Sequence, residues 1–215
     1  MPQVRRGGRP SRAASEQLGE RILDAATEMF LAHGFGATSI EAVAQRLRMS
    51  KRTFYHRYAN KEALFAAVVH RIIQRLRPAA DIPLVSGADL ETVLERLAAL
   101  ILHAAVSAQA IALHRLIVAE SARFPELARV LADEGATEEA TTLIAGLLER
   151  EVTAKRLRID DTRFAAQQFL QMVVTLPQRR AMGLGAPMSA SELREWPRKV
   201  AGLFLHGCRG DVRRR

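Results

Sequence analysis

Residues 38–61 read TSIEAVAQRLRMSKRTFYHRYANK, and the reading of this stretch decides the fold. Ile40, Val43, Ala44 and Leu47 recur at helical spacing, which buries one face of a short helix capped by Thr38 or Ser39. Ser50 then offers a hydroxyl to cap a second short helix, expected over 50–58, with Phe54 turned inward. Its solvent side carries Lys51, Arg52, Tyr55 and His56, and Asn60 with Lys61 opens another helix. A capped helix that displays cations, hydrogen-bond donors and an aromatic ring has what reading a DNA groove requires.

The charge distribution points the same way. The chain of 215 residues has a net charge of +9. Residues 1–77 hold 14 Lys/Arg against 6 Asp/Glu, a balance of +8, whereas residues 78–215 hold 18 against 17. A solvated charged surface predicts no such partition, and polyanion binding does. Nearly half the residues are apolar, aromatics are scarce, and no alternating run of Val, Ile, Thr and Tyr marks a strand, so an all-α fold is expected. No run of 18 or more apolar residues is present, which argues against a membrane partner, and MPQVRRGGRPSR at residues 1–12 lacks the apolar core of a secretory signal. With Cys208 as its single cysteine the chain forms no internal disulfide, which fits a cytoplasmic location.

Outward from the opening stretch, residues 1–14 combine Arg5, Arg6, Arg9 and Arg12 with Gly and Pro and no acid, as expected of a flexible basic arm that follows phosphates or the minor groove. Residues 15–60 form the helix-turn-helix domain; its first helix starts near Ser15, carries Leu18, Ile22, Ala25, Ala26, Met29 and Phe30 inward, and stops at Gly34. Residues 61–77 form a connecting helix that ends at Pro78. Residues 78–210 form a second helical domain that opens with PAADIPLVSGA and an Asp89-capped helix. Its later helices are expected near 110–123, 127–131, 137–156, 161–182 and 190–206, with a kink or restart at Pro197 in the last.

GFGATSIEAVAQRLRMSKRTFYHRYANKEALF, residues 34–65, closely resembles the DNA-binding signature of the TetR family of bacterial transcriptional regulators. RLIVAESARFPELARVL, residues 115–131, looks like one subgroup of the family's C-terminal domains. The resemblance implies an N-terminal three-helix DNA-binding domain followed by a ligand-binding and dimerisation domain. It also implies phosphate or base contact for Tyr55, phosphate contact for His56, and a homodimer made by packing the last two helices against their copies. Phe164, Leu193, Leu203 and Phe204 are the candidates for that interface. One residue departs from the pattern. Arg48 stands in the turn where the family usually has Gly, so either Arg48 adopts a positive φ at a cost of roughly 1 kcal/mol or the turn is altered.

The residues themselves suggest roles on DNA. Ser50 caps the reading helix, and Lys51 and Arg52 lie near its N-terminal end, where Arg52 can pair with guanine through two hydrogen bonds. Thr53 is placed to meet a thymine methyl or a phosphate, Arg48 to add a phosphate contact, and Thr38 and Lys61 to grip the backbone. In the second domain His103, His114, Glu120 and Arg123, with Phe169 and Met172, are candidates to line a small-molecule pocket. His103 and His114 lack the spacing of a metal pair on one helix, so no metal is expected. No cofactor is called for, and Gly-x-Ser-x-Gly, His-Glu-x-x-His and Gly-rich phosphate-loop signatures are missing, which disfavours a helical enzyme with an incidental basic N-terminus. A sequence-tolerant DNA-coating protein is the closer rival to a ligand-responsive repressor on a palindromic operator.

Overall fold

Several helix starts in this chain are set by short polar side chains that turn back onto their own backbone. Ser39 Oγ accepts from Ala42 N at 3.1 Å, Ser50 Oγ from Thr53 N at 3.1 Å, and Asn60 Oδ1 from Ala63 N at 2.8 Å. Asp89 and Asp161 do the same for Thr92 N and Phe164 N, each at 2.8 Å. Each such cap satisfies an amide that the helix leaves unpaired and contributes about 1 kcal/mol. The Thr92 amide also holds the Asp89 carboxyl below the usual carboxylate range.

The computed structural model describes residues 12–77, 89–133 and 135–208. The helices are α1 (Arg12–Ala37), α2 (Ile40–Arg46), α3 (Lys51–Tyr55), α4 (Lys61–Leu76), α5 (Leu90–Ala105), α6 (Ala108–Glu120), α7 (Glu126–Asp133), α8 (Ala136–Thr153), α9 (Thr162–Ala181) and α10 (Ala190–Cys208). No strand occurs among the described residues, and none of the single helices there is long and apolar enough to cross a membrane. The fold is all-α, as the hydrophobic spacing predicts. Arg12, the first described residue, is already in α1 and pairs with Glu16 at 3.0 Å, so it does not lie in a flexible arm. Arg5, Arg6 and Arg9 lie outside the described residues, as does Pro78.

Two compact units divide the chain. The first comprises residues 12–71 together with 116–130, and the second comprises 72–115 and 131–208. Residues 116–130, assigned from the sequence to the second domain, therefore pack with the helix-turn-helix. The reason is aromatic: Phe30, Phe35 and Phe65 form a buried cluster with ring centroids 5.3–5.7 Å apart, and Phe124 closes it edge-on against Phe35 at 5.0 Å. Arg71 fastens α4 to α1, its guanidinium 2.8 Å from Asp24, 3.3 Å from Glu20 and 2.9 Å from the Thr27 hydroxyl.

In the second unit α5, α8, α9 and α10 enclose a core that includes Leu94, Ile144, Leu148, Phe169, Val173 and Phe204, with Phe169 and Phe204 stacked edge to face at 5.1 Å. α9 and α10 both run through a proline. Pro177 has no N–H for the carbonyl of Val173, four residues back, and Trp196 Nε1 of α10 donates to that oxygen at 2.9 Å. α10 continues across Pro197, so the helix does not restart there. Val200, Ala201, Phe204 and Leu205 beyond it are buried, and that packing carries the helix past the missing bond. Replacing Trp196 by Phe removes the indole donor and leaves the Val173 carbonyl unpaired. Urea unfolding of W196F is expected to show a loss of about 1 kcal/mol. An unchanged midpoint would remove this account of how the two helices tolerate Pro177.

Candidate nucleic-acid interface

The turn between α2 and α3 is built on Arg48. Its φ is 53°, and Arg48 N donates to Gln45 O while Met49 N donates to Ala44 O, each at 3.0 Å. This pair of bonds closes a helix on a left-handed residue, a position that favours glycine. Of the two possibilities left by the sequence, Arg48 adopts the strained conformation and the turn keeps its form. Lys155 does the same after α8, with a φ of 59°. The Arg48 side chain is exposed beside the start of α3.

α3 is shorter than expected, Lys51–Tyr55, and a turn carries the chain on through His56 and Arg57. Phe54 is fully buried while Lys51, Arg52, Thr53, Tyr55 and His56 are exposed. Arg52, Thr53, Tyr55 and His56 line one shallow surface depression. The Ser50 and Thr53 hydroxyls lie 2.8 Å apart, so the cap also orients Thr53. Lys51 Nζ is 3.1 Å from Glu41 of α2, and the Glu41 carboxyl is held below its ordinary range by its own backbone amide and then by Lys51. Arg46 pairs with Glu28 of α1.

Three side chains differ from their expected placement or had no sequence signal. Thr38 is buried, its hydroxyl 2.8 Å from Gly34 O and 3.2 Å from Met29 O, so it holds the α1–α2 corner and does not present its side chain to solvent. Lys61 Nζ donates to Phe35 O at 2.9 Å and lies over the Phe35 ring at 4.3 Å, which turns it inward as well. Arg57, which nothing in the sequence singles out, donates to the Ser15 carbonyl and, at 2.6 Å, to the Ser15 hydroxyl, tying the end of the reading segment to the start of α1.

The candidates for a small-molecule pocket do not form one set. Glu120 and Arg123 belong to the first unit, where Glu120 accepts from Gly36 N at 2.7 Å and Arg123 lies over the Phe124 ring. In the second unit Phe169 is core, His103 is exposed, and His114 and Met172 are half-buried. The interface candidates divide too. Phe164 is 58% exposed and Leu203 66%, whereas Phe204 faces the core and Leu193 packs against it.

Fold and site together define a helix-turn-helix protein of the kind that places an exposed, capped helix against DNA. Residues 22–68 match the profile of the bacterial regulatory proteins of the tetR family, and residues 92–207 match that of the AefR-like transcriptional repressor C-terminal domain. The chain belongs to the TetR family of bacterial transcriptional regulators. The HTH-type transcriptional regulator UidR of Escherichia coli (strain K12) is 30% identical over 117 residues, 54% of this chain and 58% of that regulator, so the match spans little more than half of the relative. Among solved structures, the flavonoid-responsive regulator FrrA is 31% identical over 92% of this chain and 100% of its own, with a TM-score of 0.75. A TetR-family regulator from Mesorhizobium loti MAFF303099 is 25% identical over 94% and 100%, with a TM-score of 0.74.

Glycine at position 48 relieves the left-handed strain but loosens the unfolded chain, so Arg48→Gly is expected to stabilise the protein by a net ~0.5 kcal/mol. Thermal unfolding at low salt checks the sign. A clear destabilisation would mean that the Arg48 side chain holds the turn by contacts outweighing its backbone strain.

Proposed function

We propose that the protein is a cytoplasmic, homodimeric repressor that binds a palindromic DNA operator and leaves it when a small molecule binds. The observation that carries the DNA part is the division of α3: Phe54 is fully buried, while Arg52, Thr53, Tyr55 and His56 share one open face beside Arg48. In this reading Arg52 reads a guanine, Thr53 meets a thymine methyl or phosphate, and Tyr55, His56, Arg48 and Lys51 hold the backbone. Two subunits place their reading helices in successive major grooves roughly 34 Å apart. Exposed Phe164 and Leu203, on α9 and α10, support a self-association surface that removes apolar area from water.

The effector acts only through a difference in affinity between the DNA-competent and DNA-incompetent states. FrrA is flavonoid-responsive by name and similar over nearly the whole chain, which makes flavonoids the first class of effector to try. His114 and Met172, half-buried in the second unit, stay as candidates to touch it.

A duplex selected by the protein from a random library, titrated with salt beside a random duplex, tests the DNA reading. Arg52→Ala is expected to remove about 1–3 kcal/mol of preference for the selected duplex. Lys51→Ala is expected to weaken both duplexes alike and to reduce the salt slope by roughly 0.9. Steep salt dependence with no preference for any sequence would favour a DNA-coating protein instead.

Self-association has its own check in light scattering at micromolar concentration. Leu203→Glu is expected to shift dimer to monomer and to weaken operator binding. A wild-type protein that stays monomeric would rule out the dimer.

A further inference from the structure

The corner between α1 and α2 is fixed by a carboxylate 84 residues away in sequence. Gly34 has φ 86° and ψ 167°, a conformation open to glycine only, and it turns the chain so that Phe35 enters the aromatic cluster. Phe35 O accepts from Thr38 N at 3.3 Å and from Lys61 Nζ at 2.9 Å. Gly36 N points the other way, and Glu120 Oε2, on the last residue of α6, accepts its hydrogen at 2.7 Å. The approach is close. A Cβ at Gly34 would lie 2.1 Å from Glu120 Oε1, and one at Gly36 would lie 3.3 Å from both Glu120 Oε2 and the Phe124 ring. Gly34 is therefore needed for its backbone angle, and both glycines leave room for Glu120 and Phe124 to sit close against the corner.

From this corner we infer that Glu120 is a positioning residue for DNA binding: its carboxylate holds the Gly36 amide and thereby sets the angle at which α2, and α3 after it, leave α1. The inference rests on the DNA-binding reading above. An ionised acceptor on a backbone amide is a strong, directional bond, and Gly36 lies only three residues before the Ser39 cap of α2. A reading helix loses its base contacts when it is displaced by more than about 0.5 Å. Glu120 acts through the backbone and needs no contact with DNA. Its effect has the opposite sign to simple electrostatics, since removing a negative charge from a DNA-binding unit favours the polyanion.

The test uses full-length protein, the duplex selected by the wild type, and three variants. Glu120→Ala loses the bond. Glu120→Asp keeps the charge but is one methylene too short to reach Gly36 N, and Glu120→Gln loses the charge but keeps an acceptor at the same reach. The expected result is about tenfold weaker binding for E120A and E120D, with an unchanged salt slope, and E120Q within about threefold of wild type. The Gly36 amide should exchange faster in E120A and E120D and recover in E120Q. W196F, destabilised in the other unit, should keep its affinity, which separates positioning from a general loss of stability. If E120A fails to fold, the Asp and Gln pair decides the matter. Wild-type affinity in E120D, or tighter binding in E120A and E120Q alike, would overturn the inference while leaving the DNA reading intact. A wild-type protein that selects no sequence would overturn both.

Discussion

The first unit depends on the burial of Phe35. Phe35 is fully buried just past the break in α1 at Gly34, and the carbonyls beside a buried ring need partners as much as the ring needs neighbours. Most of the unit's unusual contacts follow from this requirement. Thr38 and Lys61 turn inward because the carbonyls of Gly34 and Phe35 need donors. Glu120 meets the same corner from its exposed side, accepting from Gly36 N. The ammonium of Lys61 is held twice, by the carbonyl and by the face of the ring that made the carbonyl hard to solvate. Residues spaced along the chain as if for DNA and for a ligand are thus consumed by one corner.

The helix-turn-helix itself is held at a small conformational cost. Arg48 occupies a left-handed position, yet the two bonds that end α2 around it are intact, so the angle between α2 and α3 is maintained without the usual glycine. A strain of roughly 1 kcal/mol is modest beside the burial of Phe54 and Val43, which fixes the same angle through packing. What the exchange adds is an exposed cation at the mouth of the turn. Lys155 tolerates the same conformation after α8, so this way of ending a helix on a left-handed residue is not confined to the turn between α2 and α3.

The legible features of the sequence were those set by local rules. Ser39, Ser50, Asp89 and Asp161 announce helix starts because a cap acts over three residues. Phe54 announces its burial because polar neighbours surround it on a short helix. The direction of Thr38 and Lys61 was not legible, since both stand at helix starts, where a DNA phosphate and a buried carbonyl are equally good partners. The partner of Glu120 is not legible in the sequence, because it is 84 residues away and is a backbone amide, which leaves no trace in side-chain spacing. That α10 runs on past Pro197 is not legible for a related reason: its local cost is real, and the packing that offsets it comes from residues further along α10 and from other helices. The Gly-Phe-Gly run carried a signal that could have been used, because two glycines flanking a buried aromatic ask for a positive φ or a close neighbour, and here both occur.

Charge balance is the other place where counting and structure part. The formal excess of +8 over residues 1–77 overstates what the unit can give to DNA, because many of its cations have employment inside the protein. Arg71 is itself buried, its guanidinium held by the exposed carboxylates of Asp24 and Glu20 and by the Thr27 hydroxyl, so it is not available to DNA. Lys61 is bound to a carbonyl and two rings. Arg46 and Lys51 are different, since their pairs with Glu28 and Glu41 are exposed, contribute little, and can be exchanged for a phosphate. Each exchange, however, leaves a carboxylate without its cation close to a polyanion, so it gains less than a contact from Arg48 or Arg52, which have no ionic partner among the described residues. Among the described residues fewer cations are therefore open to duplex DNA than the composition suggests, and Arg48 and Arg52 flank or lie on the short helix α3.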